Sequence, residues 1–354
     1  MNTKVLGVVI LVVIIAAALF FQISPIAKPT ITLKGFVGGE KTGLLDDEQF
    51  KKILKNRYGL ILDYSKAGSI EMVKEDTTGA DFLFPSSQTA LEIFKTTKGH
   101  QLVKSENIFN SPLVCFTWDN VAEALIKAGI AQKQDNIYFV DFPKLVELVL
   151  SNKKWADIGL PALYGSVTVI STDPTKSNSG NMLAGLIANT VTGDIVDESS
   201  VDKALPKVKL FFTKLGYMEH SSSDLFEQFL RTGIGAKPII AGYENQVIEF
   251  ADQNQESWEN VKNKIRILYP IPTVWSAHQL IALTPKAQQL IKALQDKDIQ
   301  KIAWERHGFR TGLLGVNNDR KVLKVVGIPD SIEKVVPLPN PAVMDRIILS
   351  LQKQ

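Results

Sequence analysis

One cysteine in 354 residues, Cys115, leaves nothing from which to build a disulfide framework or a thiolate zinc site. Histidine is almost as scarce. His100, His220, His278 and His307 are scattered without an H-x-x-x-H pair, which argues against metal catalysis by a histidine cluster. No G-x-S-x-G is present, so the chain has no nucleophile elbow for Ser/His/Asp chemistry. Lysine and arginine form no run, and 40 of them against 37 acids give a net charge of +3, too diffuse to mark a nucleic-acid partner. Internal repeats and low-complexity linkers are also missing. What remains, 45% hydrophobic and 22% charged, describes a globular chain with material for roughly two to three domains of ordinary size.

The longest apolar run is Val5–Phe21, uncharged behind Lys4. As a helix it would be about 25 Å long, close to the thickness of a hydrocarbon core. A cleaved signal peptide and an uncleaved anchor compete here. Ala16–Ala18 is followed by Leu19-Phe20-Phe21, and Pro25 occupies a critical place before Ala27, so both cleavage contexts are poor. No cysteine closes the run, which excludes a lipid-modified terminus. Residues 1–27 therefore read as a transmembrane signal-anchor and short linker, with the remainder on the extracytoplasmic face.

Beyond it a rhythm of strand, polar turn and helix sets in, the signature of an open parallel or mixed sheet in an α/β fold. Strands are expected at Ile31–Val37, Leu60–Tyr64, Ala80–Phe84, Pro112–Thr117, Ser166–Ile170 and Gln279–Leu283. Helices are expected at Asp46–Arg57, Thr89–Thr97, Asp119–Ala128, Phe142–Leu150, Asn181–Thr190, Ser200–Leu215, Ser223–Thr232, Lys286–Leu294, Asp298–Glu305 and Asn340–Leu351. In such sheets ligands bind where strand C-termini meet helix N-termini.

Four loops of that kind stand out. In VISTDPTKSNSGNML a strand runs through seven hydroxyl or amide side chains, among them Thr172, Ser177, Asn178 and Ser179, into a helix. Backbone N–H groups, hydroxyls and the positive helix end would converge there on an anion or polar ligand, where a solvated N-cap is the plainer alternative. GFVGGEKTGL nearly spells a phosphate loop, but Glu40 sets a carboxylate where the backbone must approach phosphate. Its Gly39, Glu40 and Lys41 remain as a binding turn. FPSSQ brings Ser86 and Ser87 to a helix start, and GYENQ offers Tyr243 and Glu244, with an amphipathic core tyrosine as the alternative. His278 beside Trp275 reads as a packed histidine and Cys115 in PLVCF as a buried thiol. Arg310 is held open as an anion contact. The Lys176-Ser177 pair does not meet the S-x-x-K spacing of serine acyl-enzymes, so a hydrolase is the least favoured reading.

The order of these loops resembles the bacterial extracellular solute-binding proteins of the type 2 periplasmic-binding fold, in the molybdate-binding-like branch. The carrying stretches are GFVGGEKTGLLDD, ADFLFPSSQTA, SPLVCFTWDNVAEAL, VISTDPTKSNSGNM, IIAGYENQVIEF and YPIPTVWSAHQLIALTPKAQQLIKAL with its WERHGFR ending. The resemblance implies two α/β lobes, 28–112 with 274–354 and 113–273, crossing near Ser111–Leu113 and Ile271–Ser276. It implies ligand contacts from Gly39, Glu40, Lys41, Ser86 and Ser87 on one side, and from Thr172, Asp173, Ser177, Ser179 and Tyr243 on the other, with Glu244 beside them. No metal or cofactor is implied, and no enzymatic activity. Acids stand beside Lys41 and Lys176, so the ligand class, a small polar or anionic solute, stays open. The expected function is membrane-anchored solute binding serving an ABC-type permease. The alternative is a tethered sensor or scaffold acting through a protein partner.

Overall fold

The computed structural model describes residues 29–352 apart from residue 314. The expected anchor at 1–27 lies outside the described residues, among which no helix is long and apolar enough to cross a membrane.

Among the described residues ten strands form one continuous sheet that divides into two halves. In the first half β1 (Ile31–Val37) lies parallel to β2 (Leu60–Lys66) and to β3 (Phe82–Phe84). The longest strand, β4 (Lys104–Trp118), belongs to both halves. The second half is built on its C-terminal end. The hairpin β5 (Ala131–Gln134) and β6 (Ile137–Asp141) joins at one edge, β7 (Ile239–Tyr243) pairs with β4 directly, and β8 (Ile265–Ile271) lies between β4 and β6. Back in the first half, β9 (Trp275–Ala282) sits antiparallel between β3 and β4, and β10 (Arg310–Thr311) adds a short edge to β4.

The chemistry of β4 explains this double membership. Its first residues, Lys104–Asn107, are exposed or half-buried, as on a partly covered strand, whereas Ser111–Trp118 are all buried. Phe109 packs in the first core against Phe84 and Phe309 at centroid distances of 6.2 and 5.3 Å. Phe116 and Trp118 enter the second core against Phe226 and Phe229 at 4.8 and 4.7 Å.

Where the halves meet, three segments are bonded together. Leu113 N donates to Val274 O at 3.1 Å, Thr273 Oγ1 to Leu113 O at 2.6 Å, and Val336 N to Thr273 O at 2.9 Å. The chain thus passes between the halves along β4, again at 272–274, and a third time near 336. The expected grouping of 274–354 with the first lobe does not hold for the final helix, Pro341–Gln352. That helix buries Val343, Met344, Ile347 and Leu351 in the second core, against the helices Asn178–Thr192 and Val201–Thr213. A Cβ on Gly185 would lie 2.8 Å from Leu338 and 2.9 Å from Met344, so this docking needs a bare backbone there.

Two expectations are corrected locally, and one helix is added. Ser166–Ile170 forms single bridges to Lys154 and Ile240 and no strand. The helix expected at 46–57 is broken at Asp47, whose carboxylate accepts from Gln49 N and Phe50 N and starts a new helix. The segment after β7 is the helix Glu244–Gln253.

Candidate ligand-binding site

The parallel strands β1 and β3 end at the same edge and deliver two turns to one point. The single turn Gly39–Lys41 follows β1, and Ser86-Ser87 follow β3. Gly38 allows their approach: a Cβ there would stand 2.5 Å from the Glu40 carboxylate and 2.8 Å from Ser86 Oγ.

Lys41 has no solvent exposure. Its ammonium donates to the Glu40 carboxylate, to Ser86 Oγ at 2.7 Å and to His278 Nδ1 at 3.2 Å, which uses all three of its protons. It also lies 4.9 Å from the centre of the Phe84 ring. Ser86 Oγ in turn donates to Glu40. Burial by itself would raise the Glu40 carboxyl, but the Lys41 charge and the hydrogen bonds from Lys41 and Ser86 outweigh it and hold the group at about 2. The same burial lowers the Lys41 ammonium below its usual value, with Glu40 opposing. His278 is pushed well below the usual histidine range, first by burial and then by the neighbouring ammonium, so the ring is neutral. With Nδ1 accepting from Lys41 its proton sits on Nε2, which is buried and has no hydrogen-bond partner.

The second half reaches the same point through the helix Asn178–Thr192. Asn178 Nδ2 donates to Ser86 O at 2.7 Å across the junction and to the Tyr243 hydroxyl at 3.0 Å. Ser276 Oγ donates to the same Ser86 carbonyl at 2.8 Å. Ser179 Oγ lies 2.8 Å from Thr172 Oγ1 and 3.1 Å from Ser177 Oγ. Ser177 occupies the N-cap position, yet its side chain makes no cap bond, so this helix start keeps its donors and the positive end of its dipole uncompensated by a side chain. Asn178 Oδ1 and Asn181 Oδ1 are buried without partners. Burial and the Glu40 charge raise the Tyr243 phenol, which is therefore a neutral hydroxyl that can donate.

Seven of the residues singled out in the sequence, Glu40, Lys41, Ser86, Thr172, Ser177, Ser179 and Tyr243, thus line one junction. Gly39 opens the turn beside them, its carbonyl accepting from Thr42 Oγ1 at 2.9 Å. Ser87 caps the helix Gln88–Lys98 through Ala90 N at 3.3 Å. It also borders a cavity of about 550 Å³ next to the cluster, lined among others by Met182, Asn107, Trp275 and Gln279.

Two residues are elsewhere. Asp173 is a turn former: its Oδ1 accepts from Thr175 N at 2.9 Å and Thr175 Oγ1 at 2.7 Å, with Lys176 at 3.8 Å. Glu244 is sealed in a second buried cluster, where its oxygens take Arg310 Nε at 2.7 Å, Arg310 Nη2 at 2.9 Å and the Tyr269 hydroxyl at 2.7 Å. Arg310, held open as an anion contact, is spent on Glu244 and on the carbonyls of Pro329 and Asp330. The Lys176-Ser177 pair is not assembled either, because the exposed Lys176 meets His220 Nε2 at 2.9 Å while Ser177 turns to Ser179.

Sequence reasoning assigned no site role to Asn178, Ser276 or His278. Asn178 stood among the polar side chains of its loop, but the alternation of Ser276 and His278 on one face of β9 is a signal shared with any half-buried strand. Among the described residues no group of three His, Cys, Asp or Glu is placed to hold a metal ion.

No family model matches the chain, and no curated sequence does. Solved structures do. A periplasmic thiamin binding protein has TM-score 0.60 at 13% identity, covering 92% of this chain and 96% of its own. Iron-bound HitA from Pseudomonas aeruginosa has TM-score 0.59 at 13% identity, with coverage of 91% and 98%. The sulfate-binding protein SubI from Mycobacterium tuberculosis has TM-score 0.53 at 15% identity, with coverage of 90% and 96%. At such identities the likeness shows the fold alone, a mixed α/β fold shared with periplasmic solute-binding proteins. It singles out neither a ligand nor the molybdate-binding-like branch, since those three proteins are described with a vitamin, a metal and an oxyanion.

Proposed function

We propose that this chain is an extracytoplasmic solute-binding protein whose two halves close on a small polar or anionic solute. The observation that carries the reading is the junction itself. Turns from both halves converge on the start of the Asn178 helix, where the buried acceptors Asn178 Oδ1 and Asn181 Oδ1 have no partner. An anionic group of the solute competes with Glu40 for the Lys41 ammonium and takes the helix N–H groups and the Tyr243 hydroxyl as further donors. Hydroxyl or ammonium protons of the same solute suit Asn178 Oδ1 and Asn181 Oδ1. The chemistry is non-covalent, with closure as the functional event. Membrane attachment through residues 5–21 and delivery to an ABC-type permease belong to the same proposal.

The test is thermal unfolding screened against oxyanions, sugars, amino acids and divalent metals. A solute held at a hundred times its dissociation constant adds about 2.7 kcal/mol, a visible shift. The shift should vanish when Ser177 and Ser179 are both replaced by phenylalanine in a chain that still folds. Unchanged affinity in that variant would remove the site from the junction. A second reading, a tethered sensor or scaffold, draws on the degree to which Glu40, Lys41, Ser86 and His278 satisfy one another. A flat screen over a well-folded chain would favour it.

A further inference from the structure

Away from the junction, the second half carries a groove of about 460 Å³ lined by residues of β5, β6 and β8, by the helix Gln255–Val261 and by the segment 324–327. Four cations line it, Lys133, Lys262, Arg266 and Lys324, and no aspartate or glutamate does. Lys324 is paired with Asp252 at 2.8 Å, and Lys262 with Glu259. Lys133 and Arg266 have no carboxylate partner among the described residues.

Those two are nonetheless held in place. Lys133 Nζ and Arg266 Cζ lie 5.3 and 5.8 Å from the centre of the Tyr138 ring, and Arg266 donates to the Tyr138 hydroxyl at 3.2 Å and to Ile265 O at 2.8 Å. Trp258 and the exposed Val326 add apolar wall. The segment 324–327 approaches the β5–β6 turn through Gly327, at φ +90°. A Cβ on Gly327 would stand 2.6 Å from Asn136 O, so any other residue would push that wall away.

Two cations without a carboxylate partner, Lys133 and Arg266, in a groove whose lining holds no acid focus a positive potential. A guanidinium fork flanked by ammonium groups matches the oxygens of a phosphate. The volume is that of a small-molecule pocket and exceeds what a bare oxyanion fills. We propose that this groove is a second binding site, for a phosphate group borne on a small organic molecule or on a lipid headgroup. It does not rest on the solute reading of the junction.

The experiment is calorimetric titration of the full chain in neutral detergent with glycerol 3-phosphate, inorganic phosphate and, separately, short-chain phosphatidylglycerol mixed into the micelles. Saturable one-to-one binding that weakens with added salt is expected. Lys133→Glu, at an exposed strand position, should weaken it by about tenfold or more, as should Arg266→Gln. The Ser177/Ser179 double variant should leave it unchanged, which separates this site from the junction. Binding of glycerol 3-phosphate assigns the free ester, and binding of phosphatidylglycerol alone assigns the headgroup. No saturable binding of any probe, or equal binding by Lys133→Glu and the unaltered chain, overturns the proposal.

Discussion

Glu40 and Lys41 are neighbours in sequence that both leave water on folding, and each charge makes the burial of the other tolerable. Removing one partner of a buried pair leaves the other uncompensated, so Lys41→Met should cost about 3–5 kcal/mol in urea unfolding, and Glu40→Gln added to it should recover much of that loss. The pair also sets an acid limb. Glu40 is held at about 2 against an ordinary 4.5, so its contribution is whole above about 4.5 and disappears as pH falls towards 2. Stability measured across that window should fall less steeply once Lys41 is methionine. Glu244→Gln, which strands the buried Arg310, should also destabilise by about 3–5 kcal/mol. Because Glu244 is outside the junction, solute affinity should stay unchanged in that variant. Loss of affinity at full stability would return Glu244 to the site. Cys115 is pushed up to about 12 by burial, so iodoacetamide at mildly alkaline pH should label it in denaturant and spare it in the native chain.

Helix starts are the elements that carry the site, and two serines at such starts separate capping from binding. Ser87 accepts from Ala90 N, so Ser87→Ala should cost about 1 kcal/mol of stability. Ser177 makes no cap bond, so Ser177→Ala should leave the unfolding midpoint almost unmoved while lowering solute affinity. The Asn178 helix is itself pinned at Gly180, where a Cβ would stand 2.3 Å from Thr172 O, a backbone atom that cannot step aside. Gly180→Ala should therefore cost about 1–3 kcal/mol. Most of these elements were legible because a helix period and a polar turn are local signals. The first part of β4 was not, since KSENIFNS is polar and half-covered, and only the buried PLVCFT declared itself. The β5–β6 hairpin, with Asp135 at φ 52°, hid in the same way behind the exposed Gln132, Lys133 and Gln134.

At the scale of the molecule, Asn178 ties the halves at the junction, through Ser86 O and the Tyr243 hydroxyl, while Arg310–Glu244 ties them in a second place. Asn178→Ala should shift the chain towards an open arrangement, read as a larger radius of gyration in solution scattering, and saturating solute should restore the compact value. An unchanged radius with unchanged affinity would mean that the strand crossings and the Arg310–Glu244 pair hold the halves together without Asn178. The third crossing near 336 and the final helix on the second core were beyond the sequence, because nothing local distinguishes a helix that closes one lobe from a helix that closes the other.

The sequence by itself determined the α/β rhythm, the lack of a second cysteine for an internal disulfide and of an H-x-x-x-H pair, and the placing of polar loops between strands and helices, since each follows from composition and short-range periodicity. Which loops meet was decided by the tertiary structure. Lys41 and His278 are 237 positions apart, and Ser86 and Asn178 are 92 apart; they touch because β9 returns between β3 and β4 and because the Asn178 helix begins where the two halves join. The same long-range pairing drew Glu244 to Arg310 and closed it to any ligand, since a buried carboxylate takes the nearest guanidinium before it can serve a solute.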